Sequence, residues 1–261
     1  MVNNLNTRLL EAAQRAYKTT LFYEQLYRNK PESTDDIPFI HPSAFHSAEG
    51  VLNCIVDRQL VNGTLPPYAR HGQEFPFTVT ESECEMELRH KRFIHALDNI
   101  LQFGLRKSKT FLILIDETTG PFCGNILSSL AWERHRACFL YWVNSQQLYD
   151  DLKAFNAECL IIATPLVHQR DIPDHTIVKI QIQHINYQTT WHKNTNAILV
   201  CDECSALGYK TCTDSKFHYS QDSLLLETNP NSGYVAVTTI DFDCQPFIRY
   251  SLNLKASSLA L

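Results

Sequence analysis

The sequence predicts an α/β fold, a mostly parallel sheet flanked by helices that passes into a β-rich C-terminal part. Three observations predict it. Apolar runs of strand length alternate with helical patterns between residues 81 and 201, which is how a parallel sheet covered on both faces is encoded. The last part of the chain changes to short apolar runs separated by turn residues. With 261 residues, 44% of them hydrophobic and 20% charged, the chain has enough apolar material to bury a core of that kind. The reading is of one domain in three regions: a helical N-terminal region over 1–75, an α/β layer over 76–202 and a β-rich end over 203–261.

Leu9, Leu10, Ala13, Ala16, Tyr17 and Leu21 form a stripe at helical spacing and predict one helix from Asn6 to Tyr27. Glu83 to Phe103 reads as a second helix, stopped by Gly104. Thr110 to Asp116 is a strand, Phe122 to Arg134 a helix and Cys138 to Val143 a strand. Ser145 to Asn156 is a helix capped by Ser145. Strands follow at Cys159 to Ala163, Ile177 to Ile182 and Ala197 to Cys201. The β-rich end predicts short strands at Phe217–Tyr219, Ser223–Glu227, Tyr234–Ile240 and Phe247–Tyr250, with Asn229-Pro-Asn-Ser-Gly233 as a turn between two of them.

Net charge is −5 with no run of like charges and no basic stripe, which argues against nucleic acid as a partner. No apolar stretch reaches the roughly 18 residues of a membrane span, and the first residues carry no signal-peptide core. The expectation is a cytoplasmic protein with no membrane partner. Nine scattered cysteines then read as reduced thiols rather than a disulfide framework. Glycine is scarce, 8 residues in 261 against a typical ~7%. Neither GxGxxG nor GxxxxGK[ST] occurs, so the backbone-lined phosphate loop of a conventional nucleotide site has little to be built from.

The most informative motifs lie between Ala197 and Tyr250. A strand ends in Cys201-Asp202-Glu203; Cys212 and His218 follow, then Leu224-Leu-Leu-Glu227, then Pro246-Phe-Ile-Arg249-Tyr250. This order resembles the end of the large N-terminal domain of adenylate-forming carboxylate ligases, the phenylacetate–CoA ligase branch in particular. Phe22-Tyr23, followed by Ile37-Pro38, resembles the N-terminal region of the same branch. The resemblance implies the fold of that core without its C-terminal lid. It implies that Glu203, at a strand end, is the carboxylate that holds magnesium against ATP and so a catalytic residue. It places the phosphate loop at Thr78, Thr80 and Ser82, and Arg249 at the nucleotide.

The departures from the pattern are equally specific. The aromatic–glycine pair before Glu203 is absent, and Asp202 replaces the usual threonine. The loop stretch has no glycine or lysine, and Glu81, Glu83 and Glu85 would repel a triphosphate. The position of the ribose-binding aspartate falls on Leu254, and leucine accepts no hydrogen bond. The sequence ends shortly afterwards, where ligases of this class continue into a lid with a catalytic lysine.

A second constellation is Cys201-x2-Cys204-x7-Cys212-x5-His218, three thiols and an imidazole of the kind that closes a structural zinc site. Its alternative is a set of buried free thiols. No GxSxG elbow is present, and Cys84 with His90 and His95 on one helix is no dyad by spacing alone.

Three functions stand open on these grounds. One is a degenerate, truncated ligase-like core, a pseudoenzyme of a biosynthetic pathway that binds an acyl or aryl carboxylate or a partner protein. Another is an active ATP- and magnesium-dependent carboxylate-activating enzyme, completed by a separate lid domain. The last is a zinc-stabilised interaction module. A carrier protein or a second copy of the chain is a further expected partner.

Overall fold

The computed structural model describes residues 2–45, 54–56, 68–71, 78–81, 83–101, 110–115, 137–142, 150, 154, 159–162, 178–185, 196–201, 203–214, 216–242 and 244–259. The predicted helix at 122–134, the Gly104 stop and Ser82 lie outside them; of the predicted helix at 145–156 only Asp150 and Ala154 are described, both helical.

The expected N-terminal helix is two. Helix α1 runs Val2–Thr19 and buries Leu9, Ala12, Ala13 and Ala16; α2 runs Leu21–Tyr27. Thr20 divides them because its hydroxyl serves better as a cap than inside a helix. It adopts an extended backbone (φ −135°, ψ 135°), its Oγ1 accepts the Tyr23 N–H at 3.4 Å, and its hydroxyl donates to the Ala16 carbonyl at 2.9 Å. The break aims Tyr23 into the core, where its hydroxyl donates to the Pro246 carbonyl (3.1 Å) and accepts the Ile248 N–H (2.9 Å). Helix α3 spans Glu83–Leu101.

Eleven strands are described: β1 (Tyr68–His71), β2 (Thr78–Glu81), β3 (Thr110–Ile115), β4 (Ala137–Trp142), β5 (Cys159–Ile162), β6 (Val178–His184), β7 (Asn196–Cys201), β8 (Ser205–Lys210), β9 (Leu224–Thr228), β10 (Tyr234–Thr239) and β11 (Tyr250–Lys255). The largest sheet has the order β4-β3-β5-β6-β7-β8. Its first five strands are parallel; β8 turns back antiparallel to β7. The pair β1–β2 is antiparallel, and so is the three-stranded sheet β11-β10-β9. The architecture is therefore mixed α/β with parallel and antiparallel sheets, and the expectation of a mostly parallel sheet is corrected to the first five strands of one sheet. Strand β8 is the element the sequence concealed. Gly208 lies within it, paired with Leu199, and a Cβ there would stand 2.2 Å from the His218 carbonyl oxygen and 2.5 Å from the Phe217 ring.

The β-rich end differs in two places. Phe217–Tyr219 contributes one bridge, His218 to Tyr209, rather than a strand. Phe247–Tyr250 is irregular up to the point where β11 begins, because its N–H groups are taken elsewhere. Phe247 donates to Thr239 Oγ1 (3.0 Å), Ile248 to Tyr23 and Arg249 to Thr238 Oγ1 (2.9 Å), and Arg249 sits at φ +47°. The 229–233 turn is as expected, with Gly233 at φ +70° and its N–H on the Asn229 carbonyl at 2.8 Å. One buried cluster joins α1, Tyr23, Ile37, Ile40, the end of β7 and the β9–β11 sheet. No helix among the described residues is long and apolar enough to cross a membrane.

Candidate functional site

Two neighbouring features converge on the carboxyl end of β7, the end at which open α/β sheets hold ligands. One is a buried polar cluster in the β7–β8 turn; the other is a cleft over α3.

The cluster consists of Cys201, Glu203, Cys204 and Tyr250, 0%, 4%, 2% and 0% exposed. The Cys204 N–H donates to Cys201 Sγ at 3.3 Å. Burial pushes the Cys201 thiol well above its ordinary range, and hydrogen bonding to Cys204 and the Glu203 charge add to it. The Tyr250 hydroxyl is raised far up, first by burial and then by the charge of the nearby Glu203 carboxylate. Glu203 is thus at the strand end where the sequence places it, but it is packed beneath a tyrosine.

The cleft has a volume of about 570 Å³. One wall is α3, presenting Lys91, Arg92 and His95; the other is the 219–223 turn with Asp222, joined by Asp241. Arg92 spans the gap, Nη1 donating to Ser223 Oγ at 3.3 Å and Nη2 to the Cys204 carbonyl at 2.8 Å, so cleft and cluster share a residue. Lys91 pairs with Glu87 at 2.6 Å on the surface. The turn is held from outside by Arg8, whose Nη1 and Nη2 donate to the carbonyls of Gln221 and Asp222, both at 2.6 Å. Sequence reading missed Lys91, Arg92, Asp222 and Asp241, and no local spacing announces them. Of the helix residues it did weigh, Cys84 is exposed, His90 is buried and His95 alone lines the cleft.

The remaining predicted residues are dispersed. Thr78 and Thr80 are alternate residues of β2, opposite His71 and Ala69, in a paired strand rather than a loop. Arg249 donates Nε and Nη2 to Glu227 (3.2 and 3.0 Å) and Nη1 to the carbonyls of Thr34 and Ile37 (both 2.7 Å). Its guanidinium also lies 4.7 Å from the centre of the Phe39 ring. Leu254 is buried in the core.

The zinc expectation is overturned. Cys201 and Cys204 lie at the turn end of the β7–β8 hairpin. Cys212 is exposed beyond the far end, its N–H on Asn196 Oδ1 at 2.9 Å. Five residue steps along the strand separate Asn196 from Cys201, about 16 Å at strand rise. His218 is occupied as well: its Nε2 pairs with Asp214 Oδ2 and its ring stacks on Tyr209 at 5.3 Å. No group of three or more metal-ligating side chains is assembled among the described residues.

No family model matches the chain, and no curated protein sequence matches it. Among solved structures it is similar to the O-succinylbenzoate Coenzyme A Synthetase (MenE) from Bacillus subtilis in complex with ATP and magnesium ion, at 11% identity and a TM-score of 0.44, over 69% of this chain and 42% of that one. A double mutant of that synthetase, bound with its product analogue OSB-NCoA, gives 9% and 0.44 over 89% of this chain and 54% of that one. CmiS6 gives 8% and 0.32 over 69% and 38%. The chain spans about two-fifths to half the length of these structures. The likenesses are distant and partial, and no residue role is carried over from them.

Proposed function

We propose that this protein is a ligase-like core that binds an acyl or aryl carboxylate without adenylating it. The observation that carries the reading is the cleft of about 570 Å³ with Lys91, Arg92 and His95 on one helical wall. Its volume is in the range that encloses a small organic ligand, with a few convergent polar groups to orient it. Lys91 is the anchor nearest to being available. Its pair with Glu87 is 63% and 39% exposed, and surface pairs of that kind contribute only about 0–1 kcal/mol, so an incoming carboxylate competes readily.

The described residues do not fit magnesium–ATP. Thr78 and Thr80 belong to a paired strand, Glu203 is buried against Tyr250, and the Arg249 charge is neutralised by Glu227. The sequence resemblance to adenylate-forming ligases supports the family setting, and in that setting a separate lid domain, a carrier protein or a second copy would supply what this core does not.

Thermal unfolding in the presence of a panel of acyl and aryl carboxylates, and separately of magnesium–ATP, tests the reading. A bound carboxylate at a hundred times its dissociation constant adds about 2.7 kcal/mol, roughly 5–10 °C for a chain of this size. The expected result is a shift with at least one carboxylate and none with magnesium–ATP. A shift with magnesium–ATP would transfer the case to the active, ATP-dependent enzyme. No shift with either would remove the cleft as a small-molecule site.

A further inference from the structure

We infer that the cleft reads an amino group together with the carboxylate, so that its ligand is a zwitterionic amino-carboxylate rather than a simple acid. This rests on the carboxylate reading above and adds to it the chemistry of the opposite wall. That wall is acidic, and the fold brings its two carboxylates together. Strands β9 and β10 pair with Leu224 opposite Thr239, and the ladder runs one step further, the Ile240 N–H donating to the Ser223 carbonyl at 3.0 Å. Continued by one more residue on each side, that register would set Asp241 across from Asp222. Like charges directly opposite one another on an antiparallel pair destabilise it. Both side chains line the cleft, both residues are exposed, and neither carboxylate has a hydrogen-bond or ion-pair partner among the described residues.

Asp222 is nevertheless held in position, since the Arg8 fork fixes the carbonyls of Gln221 and Asp222. Placement is thus supplied by the main chain, and the carboxylate is left for something in the cleft. The facing wall is cationic through Lys91, Arg92 and His95 when protonated. A cavity positive on one side and doubly negative on the other is complementary to a ligand with both charges. A simple carboxylate would meet attraction at α3 and repulsion across the gap; an ammonium group placed between Asp222 and Asp241 relieves the repulsion between them.

Calorimetric titration with matched ligands tests the inference: phenylalanine and leucine, their counterparts lacking the amino group (3-phenylpropionate and 4-methylpentanoate), and the corresponding amines lacking the carboxylate. The expected result is that an amino acid binds about tenfold tighter or more than its deaminated counterpart, the worth of one hydrogen bond to a charged group. In the double variant Asp222→Asn with Asp241→Asn, that preference should vanish while the melting temperature stays level or rises. Equal affinity for the amino acid and the simple acid would overturn the inference and leave the carboxylate reading standing. A preference for the amino acid that survives the double substitution would overturn the assignment to Asp222 and Asp241. Binding by the amines alone, with none by any carboxylate, would overturn both readings, as would no binding by any of the six.

Discussion

Arg249 grips Glu227 with two parallel hydrogen bonds, Nη2 to Oε1 at 3.0 Å and Nε to Oε2 at 3.2 Å, and with its remaining nitrogen holds the carbonyls of Thr34 and Ile37. One guanidinium thereby ties the N-terminal segment to the edge of the β9–β11 sheet. The pair is mostly buried, 14% and 28% exposed, so removing the cation strands a carboxylate and two carbonyls. Arg249→Ala should lower unfolding free energy in urea by about 2–3 kcal/mol. Arg249→Lys should recover less than half of that loss, because an ammonium lacks the fork that reaches both Glu227 oxygens and the carbonyls at once. Full recovery by lysine would show that charge alone matters there.

Two glycines separate space from conformation. Gly208 has no room: the His218 carbonyl would stand 2.2 Å from an added Cβ. Gly233 has nothing within 4 Å but adopts φ +70°. Gly233→Ala should therefore cost about 1 kcal/mol, the penalty of a left-handed backbone with a side chain. Gly208→Ala must push β8 away from the 217–218 segment and should cost about 2–3 kcal/mol. Urea titration of both variants distinguishes the two mechanisms, and equal losses would contradict them.

The same contrast explains what was legible in the sequence. Strand β3 was expected at Thr110 to Asp116 and found at Thr110–Ile115, because an unbroken apolar run of strand length has few alternatives. Strand β8 was not seen: Ser205-Ala-Leu-Gly-Tyr-Lys has no clean alternation, and its glycine answers a contact with residues nine and ten positions later. Thr20 was read as helix interior because the apolar stripe passes through it, whereas its hydroxyl decides the break. In the site, the end of β7 could be read from the apolar run Ala197 to Cys201 running into an acidic turn, whereas a role for Glu203 rests on the resemblance alone. The cleft could not. Arg92 meets Cys204 and Ser223 across 112 and 131 residues, and spacing within a single element carries no trace of such a pairing.

The correction of the zinc site has its own consequence. With Cys212 exposed and far from the Cys201–Cys204 turn, Cys212→Ser removes no buried contact. Its unfolding free energy should stay within about 0.5 kcal/mol of the parent chain, as is usual for surface substitutions. Prolonged treatment with a chelator should leave the melting temperature unchanged. A chelator-dependent loss of several degrees would mean that folding is coupled to a metal after all.

Alkaline pH should unfold this protein unusually early. Cys54 and Cys201 titrate at about 9.0 when exposed and Tyr23, Tyr27 and Tyr250 at about 10.0, yet burial raises all five in the folded chain. The folded state thus holds protons that the unfolded chain has released. Stability is fully present well below pH 9, falls as pH approaches and passes the cysteine value and falls more steeply past the tyrosine value. Each group contributes a slope of up to about 1.4 kcal/mol per pH unit once its unfolded form is ionised. Thermal melts from pH 7 to 10.5 should show a plateau to about pH 8.5 and then a decline that accelerates. Tyr250→Phe removes one of the titrating groups and also the phenol beside Glu203. The variant should stay within about 1 kcal/mol of the parent chain at pH 7, yet decline less steeply above pH 10. A parallel decline in the two proteins would mean that Tyr250 ionises as readily folded as unfolded, and the buried cluster at the end of β7 would have to be open to solvent.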